Sequence, residues 1–184
     1  MLFRSNSRGI VNEIIDKYHI GYRKDKKCLV IPVRRDGKLF TFKFYKKKTE
    51  FKPKSIWQVP EEYLGYKPLW IFPEPDKEKK EVYLFEGEMD VLLALSLGFN
   101  ATTITGGAGS WRDDLNQYFK DKIVYVCYDS DQKGKIGARK VCNEIAKFAE
   151  KVYRVKLDLK EEKSKDFGDY IIKKNNKVDN FKKL

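Results

Sequence analysis

The sequence predicts an α/β protein, a parallel sheet with flanking helices preceded by a smaller basic α+β subdomain. Three observations predict it. From residue 82 onward, short runs of β-branched and aromatic residues alternate with segments of helical periodicity, the order of a parallel sheet covered by helices. Two of those runs end in short acidic motifs, Glu86-Gly87-Glu88-Met89-Asp90 and Asp129-Ser130-Asp131. The residues ahead of them read as a helix and a hairpin and hold most of the net positive charge. Residues 1–80 carry 20 Lys and Arg against 10 Asp and Glu, whereas residues 81–184 carry 19 against 17.

Each element has its own reason. Ser5-Asn6-Ser7 offers capping oxygens, after which Ile10, Val11, Ile14, Ile15 and Tyr18 fall on one helical face. Cys28 to Val33 and Leu39 to Tyr45 form the arms of a hairpin around Arg34-Arg35-Asp36-Gly37. In the second arm Phe40, Phe42 and Phe44 alternate with Leu39, Thr41, Lys43 and Tyr45, so one face is aromatic and the other mixed. The Pro- and aromatic-rich stretch 51–68 is expected to wrap the surface. Pro73-Glu74-Pro75-Asp76 and the charged run after it mark a boundary. Domains are expected at 1–75 and 81–172, with 173–184 a flexible tail. The second domain reads as strand 82–85, helix 89–98, strand 101–105, helix 111–119, strand 123–128, helix 135–149, strand 152–156, and a short helix after Asp166.

Composition excludes several classes. Cys28, Cys127 and Cys142 are scattered and there is one histidine, His19, so neither a zinc ribbon nor a disulfide framework is expected. Nothing in the sequence resembles a membrane span or a secretory signal, and a cytoplasmic protein without a membrane partner is expected. A net charge of +12, concentrated in the first domain and densest between Arg34 and Lys54, favours polyanionic partners. A merely solubilising lysine-rich surface is the alternative.

The acidic motifs carry the chemistry. Ligands on such sheets collect at the carboxyl ends of the strands, where Glu86 and Asp129 fall. Asp129 and Asp131, two apart at a strand end, can point the same way. Carboxylates gathered at one point suit a hard divalent cation. Taken singly, Glu86 is equally explained as a cap on the helix after it, and Asp129 and Asp131 as caps on the helix near Lys135.

Together these residues resemble the Toprim domain shared by primases, topoisomerases and several nucleases. Its marks are E-G-x-x-D after the first strand and D-x-D after a later one, matched by Glu86-Gly87-Glu88-Met89-Asp90 and Asp129-Ser130-Asp131. The primase branch adds Gly134 and Ala138 after the D-x-D, and a late element matched by Lys165-Asp166-Phe167-Gly168-Asp169-Tyr170. It also adds a glycine-rich turn, here Gly106-Gly107-Ala108-Gly109. Ahead of these, Ile31-Pro32-Val33-Arg34-Arg35-Asp36-Gly37 and Lys67-Pro68-Leu69-Trp70 resemble elements of the primase basic subdomain, so the resemblance spans about residues 29–172.

The resemblance implies a primase catalytic core without zinc ribbon or helicase, a metal-dependent nucleotidyltransferase of the DNA-directed RNA polymerase type. It would make short primers on single-stranded DNA from nucleoside triphosphates, with a replicative helicase or separate template-recognition protein as partner. Two Mg²⁺ or Mn²⁺ ions would be held by Glu86, Asp129, Asp131 and Asp166, with Glu86 as ligand or general base. Gly87, Asp90, Gly106, Gly107 and Gly134 would support the site. Arg34, Arg35, Lys43, Lys46, Lys47, Lys48, Lys133 and Lys165 would grip template and triphosphate, and Trp57, Tyr63 and Trp70 pack in the core or stack bases. Other readings are a Toprim nuclease acting on DNA or RNA and a non-catalytic single-strand-binding subunit. A topoisomerase is disfavoured because the chain has no room for the domain bearing the attacking tyrosine.

Overall fold

The computed structural model describes residues 8–35, 37–45, 55–58, 71–105, 111–157, 166–173 and 181. The first elements are helix α1 (Asn12–Lys17) and strands β1 (Gly21–Arg23), β2 (Cys28–Arg35), β3 (Lys38–Tyr45) and β4 (Ser55–Gln58). These four strands form an antiparallel sheet in chain order. The expected hairpin is β2–β3, whose register slips between Val33 and Arg34. β4 lies within the stretch expected to wrap the surface. It pairs with β3 from Phe42↔Gln58 to Tyr45↔Ser55. Prolines at 53 and 60 confine it to a run too short to stand out in sequence.

The mixed face of β3 turns inward. Thr41 and Lys43 are buried beside Ile31 and Val33, while Phe40, Phe42 and Phe44 are half-buried. A charge stands at this buried position because its partner lies across the interface, as described below.

The remaining strands are β5 (Ile71–Phe72), β6 (Glu81–Phe85), β7 (Ala101–Ile104), β8 (Ile123–Cys127) and β9 (Lys151–Arg154), with helices α2 (Glu88–Ser96) and α3 (Gln132–Ile145). They build a five-stranded sheet in the order β5-β7-β6-β8-β9. All neighbouring pairs are parallel except β5–β7. Between β7 and β8 the expected helix is a 3-10 helix, Asp113–Tyr118, and a short helical turn occupies Asp169–Lys173.

This sheet is covered on both faces, which is why β6 and β8 read as apolar runs. Tyr83 and Phe85 of β6 join α2, Ile10, Phe99 and Phe167 in one cluster. Val82 and Leu84 join α3, Leu115 and Phe119 in the other. Phe181, within the segment expected to be a free tail, is 2% exposed in the first cluster.

The boundary expected at Pro73–Asp76 is stitched to the sheet. The buried Asn100 side chain accepts from the Asp76 amide (2.8 Å) and donates to the carbonyls of Asp76 (3.2 Å) and Glu81 (2.9 Å). Thr102 Oγ1 donates to the Pro73 carbonyl at 2.7 Å. Ile71 and Phe72, expected in the first domain, therefore belong to the second sheet. Among the described residues no helix is long and apolar enough to cross a membrane.

Candidate metal centre at the strand ends

β6 and β8 are adjacent and in register, Phe85 opposite Cys127, so the segments leaving their carboxyl ends are neighbours. Glu86 and Asp129 meet there, and the Asp129 backbone N–H donates to Glu86 Oε2 at 3.3 Å. Convergence of the two acidic motifs is thus a consequence of strand order and register.

Asp131 is the N-cap of α3. Its Oδ1 accepts from the Gly134 amide at 2.9 Å, so the capping role expected for a lone acid holds for one of its oxygens. Gly134 is required by a close approach: a Cβ there would lie 2.2 Å from the Asp129 carbonyl oxygen.

Asp90 lies in the first turn of α2. Its Oδ1 accepts from the Gly168 amide at 3.0 Å, while its Oδ2 lies 4.0 Å from where a Cβ on Gly87 would stand. Asp166 Oδ1 in turn accepts from the Asp169 amide at 2.7 Å. A Cβ on Gly168 would sit 3.4 Å from both Asp90 Oδ1 and Asp166 Oδ1, so that glycine marks where the late acidic segment docks on α2. Gly87 is the extended N-cap residue of α2, and its carbonyl accepts from the Val91 amide at 3.3 Å.

The Asp90 carboxyl, enclosed by protein, is pushed up to about 8. Burial is the largest cause, followed by the negative charges of Asp166 and Asp129; the Gly168 amide and Arg8 act in the opposite direction. The folded state therefore binds this proton more tightly than an unfolded chain, whose carboxylate titrates near 4. Stability from this group is present at low pH and lost as pH rises toward 8. In the presence of EDTA, urea unfolding from pH 5 to 9 is expected to show a fall on the order of a few kcal/mol, flattened in Asp90→Asn. Parallel profiles for the two proteins would refute this account.

Arg8, which the sequence analysis did not single out, is exposed and lies near enough to Asp90 for its charge to favour the carboxylate. Ile10 is buried in the core, Gly9 has φ of +68° with a Cβ position 3.1 Å from Leu93 Cδ1, and the Val11 amide donates to Ser96 Oγ at 3.1 Å. These contacts lay residues 9–11 along α2 and set the Arg8 charge near Asp90. No local signal in the sequence distinguishes this arginine.

The basic residues divide. Lys43 is buried and ion-paired with Glu88, in place of the exposed phosphate grip expected of it. Arg34 is exposed, and its Nη1 donates to the Gly37 carbonyl at 3.2 Å across the hairpin turn. Lys133 is exposed in the first turn of α3. Lys46, Lys47, Lys48, Lys165, Gly106, Gly107, Tyr63, Trp70 and the side chains of Arg35 and Trp57 lie outside the described residues.

Among the described residues, no three acidic, His or Cys side chains already form a cation cage. The donor set nevertheless fits a hard divalent ion: it is carboxylate oxygen throughout, and the negative charges of Asp166 and Asp129 both act on the neighbouring Asp90.

Comparison with known proteins agrees with this fold. Residues 83–171 match the Toprim-like family. The solved structure of the Aquifex aeolicus primase zinc-binding and RNA polymerase domains is similar, with a TM-score of 0.71 and 22% identity over 92% of this chain. The primase fragment of the bacteriophage T7 primase-helicase protein gives a TM-score of 0.69 and 17% identity over 92% of this chain and 68% of that one. A DnaG primase catalytic domain bound to single-stranded DNA gives 0.68 and 18% over 97% of this chain and 70% of that one. The chain spans about half the length (51%) of the Aquifex structure. No curated protein matches the sequence.

Proposed function

We propose that this chain, a Toprim-like domain at residues 83–171 within the fold of a primase catalytic core, is a primase-like nucleotidyltransferase that makes short primers on single-stranded DNA. The observation that carries the reading is the meeting of Glu86 and Asp129 at the carboxyl ends of β6 and β8. The fold of the similar structures and the basic sheet ahead of the acids support synthesis as the use of that site.

Glu86, Asp129 and Asp131 would hold Mg²⁺ or Mn²⁺, with Asp166 beside a second ion. When bound, such ions lower the barrier to attack by a 3′-hydroxyl and neutralise the departing pyrophosphate. The remaining work is positioning, so no side-chain nucleophile is needed. Arg34, Arg35, Lys46, Lys47, Lys48, Lys133 and Lys165 are proposed to contact phosphates, setting register without reading sequence. A helicase or separate template-recognition protein would supply the choice of site.

The test incubates the protein with single-stranded DNA, labelled nucleoside triphosphates and Mg²⁺ or Mn²⁺. Extended products are expected, reduced roughly 100-fold or more in Asp129→Ala and in Glu86→Gln. Shortening of the DNA without synthesis would replace this reading by hydrolysis at the same acids. Binding without any product from any form would leave a non-catalytic binding subunit.

A further inference from the structure

We infer that Lys43 and Glu88 form a positioning pair, through which the basic sheet sets the Glu86–Gly87 turn. Lys43 stands mid-strand in β3, opposite Ile31 on one side and Trp57 on the other. By alternation it shares the inner face with Thr41, and both are buried. Glu88 is the first residue of α2 and is also buried. Lys43 Nζ donates to Glu88 Oε1, with the two side chains 9% and 6% exposed.

Two charges withdrawn this far from water persist only in fixed, hydrogen-bonded geometry, so the pair determines where α2 begins relative to the sheet. The negative member also lies at the helix N-terminus, where the backbone dipole favours it. Glu86 is two residues away. Gly87, between them, is extended at φ −134° and ψ 156° and has no side chain of its own to fix the turn. Glu86 is bonded across to the Asp129 amide, so one short segment is tied to β3 at Glu88 and to the end of β8 at Glu86. Lys43 thus acts through Glu88 and not on phosphate.

The Asp129 amide reports the position of Glu86 without metal or nucleotide. In Lys43→Met, folded by circular dichroism, exchange of that amide followed by NMR is expected to be roughly tenfold faster. Glu88→Gln should do the same, and the double variant should be no worse than either alone. A second readout is Mn²⁺ affinity by EPR, which rests on the cation site proposed above. Coulomb's law alone predicts tighter Mn²⁺ binding when the lysine charge is removed. The positioning role predicts the opposite, a loss of roughly tenfold, as for other residues that orient metal ligands.

Parental amide protection in Lys43→Met would overturn the inference, as would unchanged or tighter Mn²⁺ binding by that variant. Absence of Mn²⁺ binding by the parent would refute the cation site while the amide still decides the pair. Should Lys43→Met fail to fold, Lys43→Met with Glu88→Leu removes both charges together. A folded double variant with a fast Asp129 amide supports the role, and one with parental protection overturns it.

Discussion

Gly134→Ala is expected to disrupt the acidic centre more than alanine at any other glycine among the described residues. Its Cβ would lie 2.2 Å from the Asp129 carbonyl oxygen, 2.8 Å from its carbonyl carbon and 2.9 Å from its Cβ. The obstruction is largely main chain, so no rotamer relieves it. Either the first turn of α3 withdraws or the Asp129 segment moves away from Glu86. Overpacking in a fitted interior costs about 1–3 kcal/mol, and a backbone clash belongs at the upper end of that range. The expected result is a lower urea midpoint together with rapid exchange of the Asp129 amide. A parental midpoint and parental protection would show that the approach is looser than described.

Phe181→Ala is expected to cost about 3–5 kcal/mol, the range for truncating a buried aromatic. The Phe181 ring centroid lies 4.8 Å from that of Phe167, 5.5 Å from Phe99, 6.1 Å from Tyr170 and 6.2 Å from Tyr83. Phe167 follows Asp166 directly, so the loss extends beyond stability. The 166–173 segment should loosen, and the Gly168 amide, which donates to Asp90, should exchange faster. Urea unfolding gives the first quantity and amide exchange the second. A loss under about 1 kcal/mol would contradict the burial described for this ring.

The parallel sheet was legible because β6 and β8 are covered by helices and read as apolar runs, Val82 to Phe85 and Ile123 to Cys127. The meeting of Glu86 and Asp129 follows from those strands alone, so it was legible too. What escaped depends on partners distant in the chain. Asp90 takes its role from Gly168, 78 residues later. Lys43 takes its role from Glu88, 45 residues later, and a buried lysine cannot be told from a surface one by its neighbours. β4 and β5 span four and two residues, too few for a period to emerge. Arg8 is placed by the packing of Gly9 and Ile10 on α2, which is a tertiary fact.

β5 has a practical consequence for anyone cutting the chain. The match to the Toprim-like family begins at residue 83, yet β7 is buried along its whole length and has β5 as its outer neighbour. A fragment trimmed to the resemblance would leave that strand with bare amide and carbonyl groups, an invitation to sticky self-association. The portion recognisable as a copied module is therefore smaller than the portion that should stay soluble when expressed by itself.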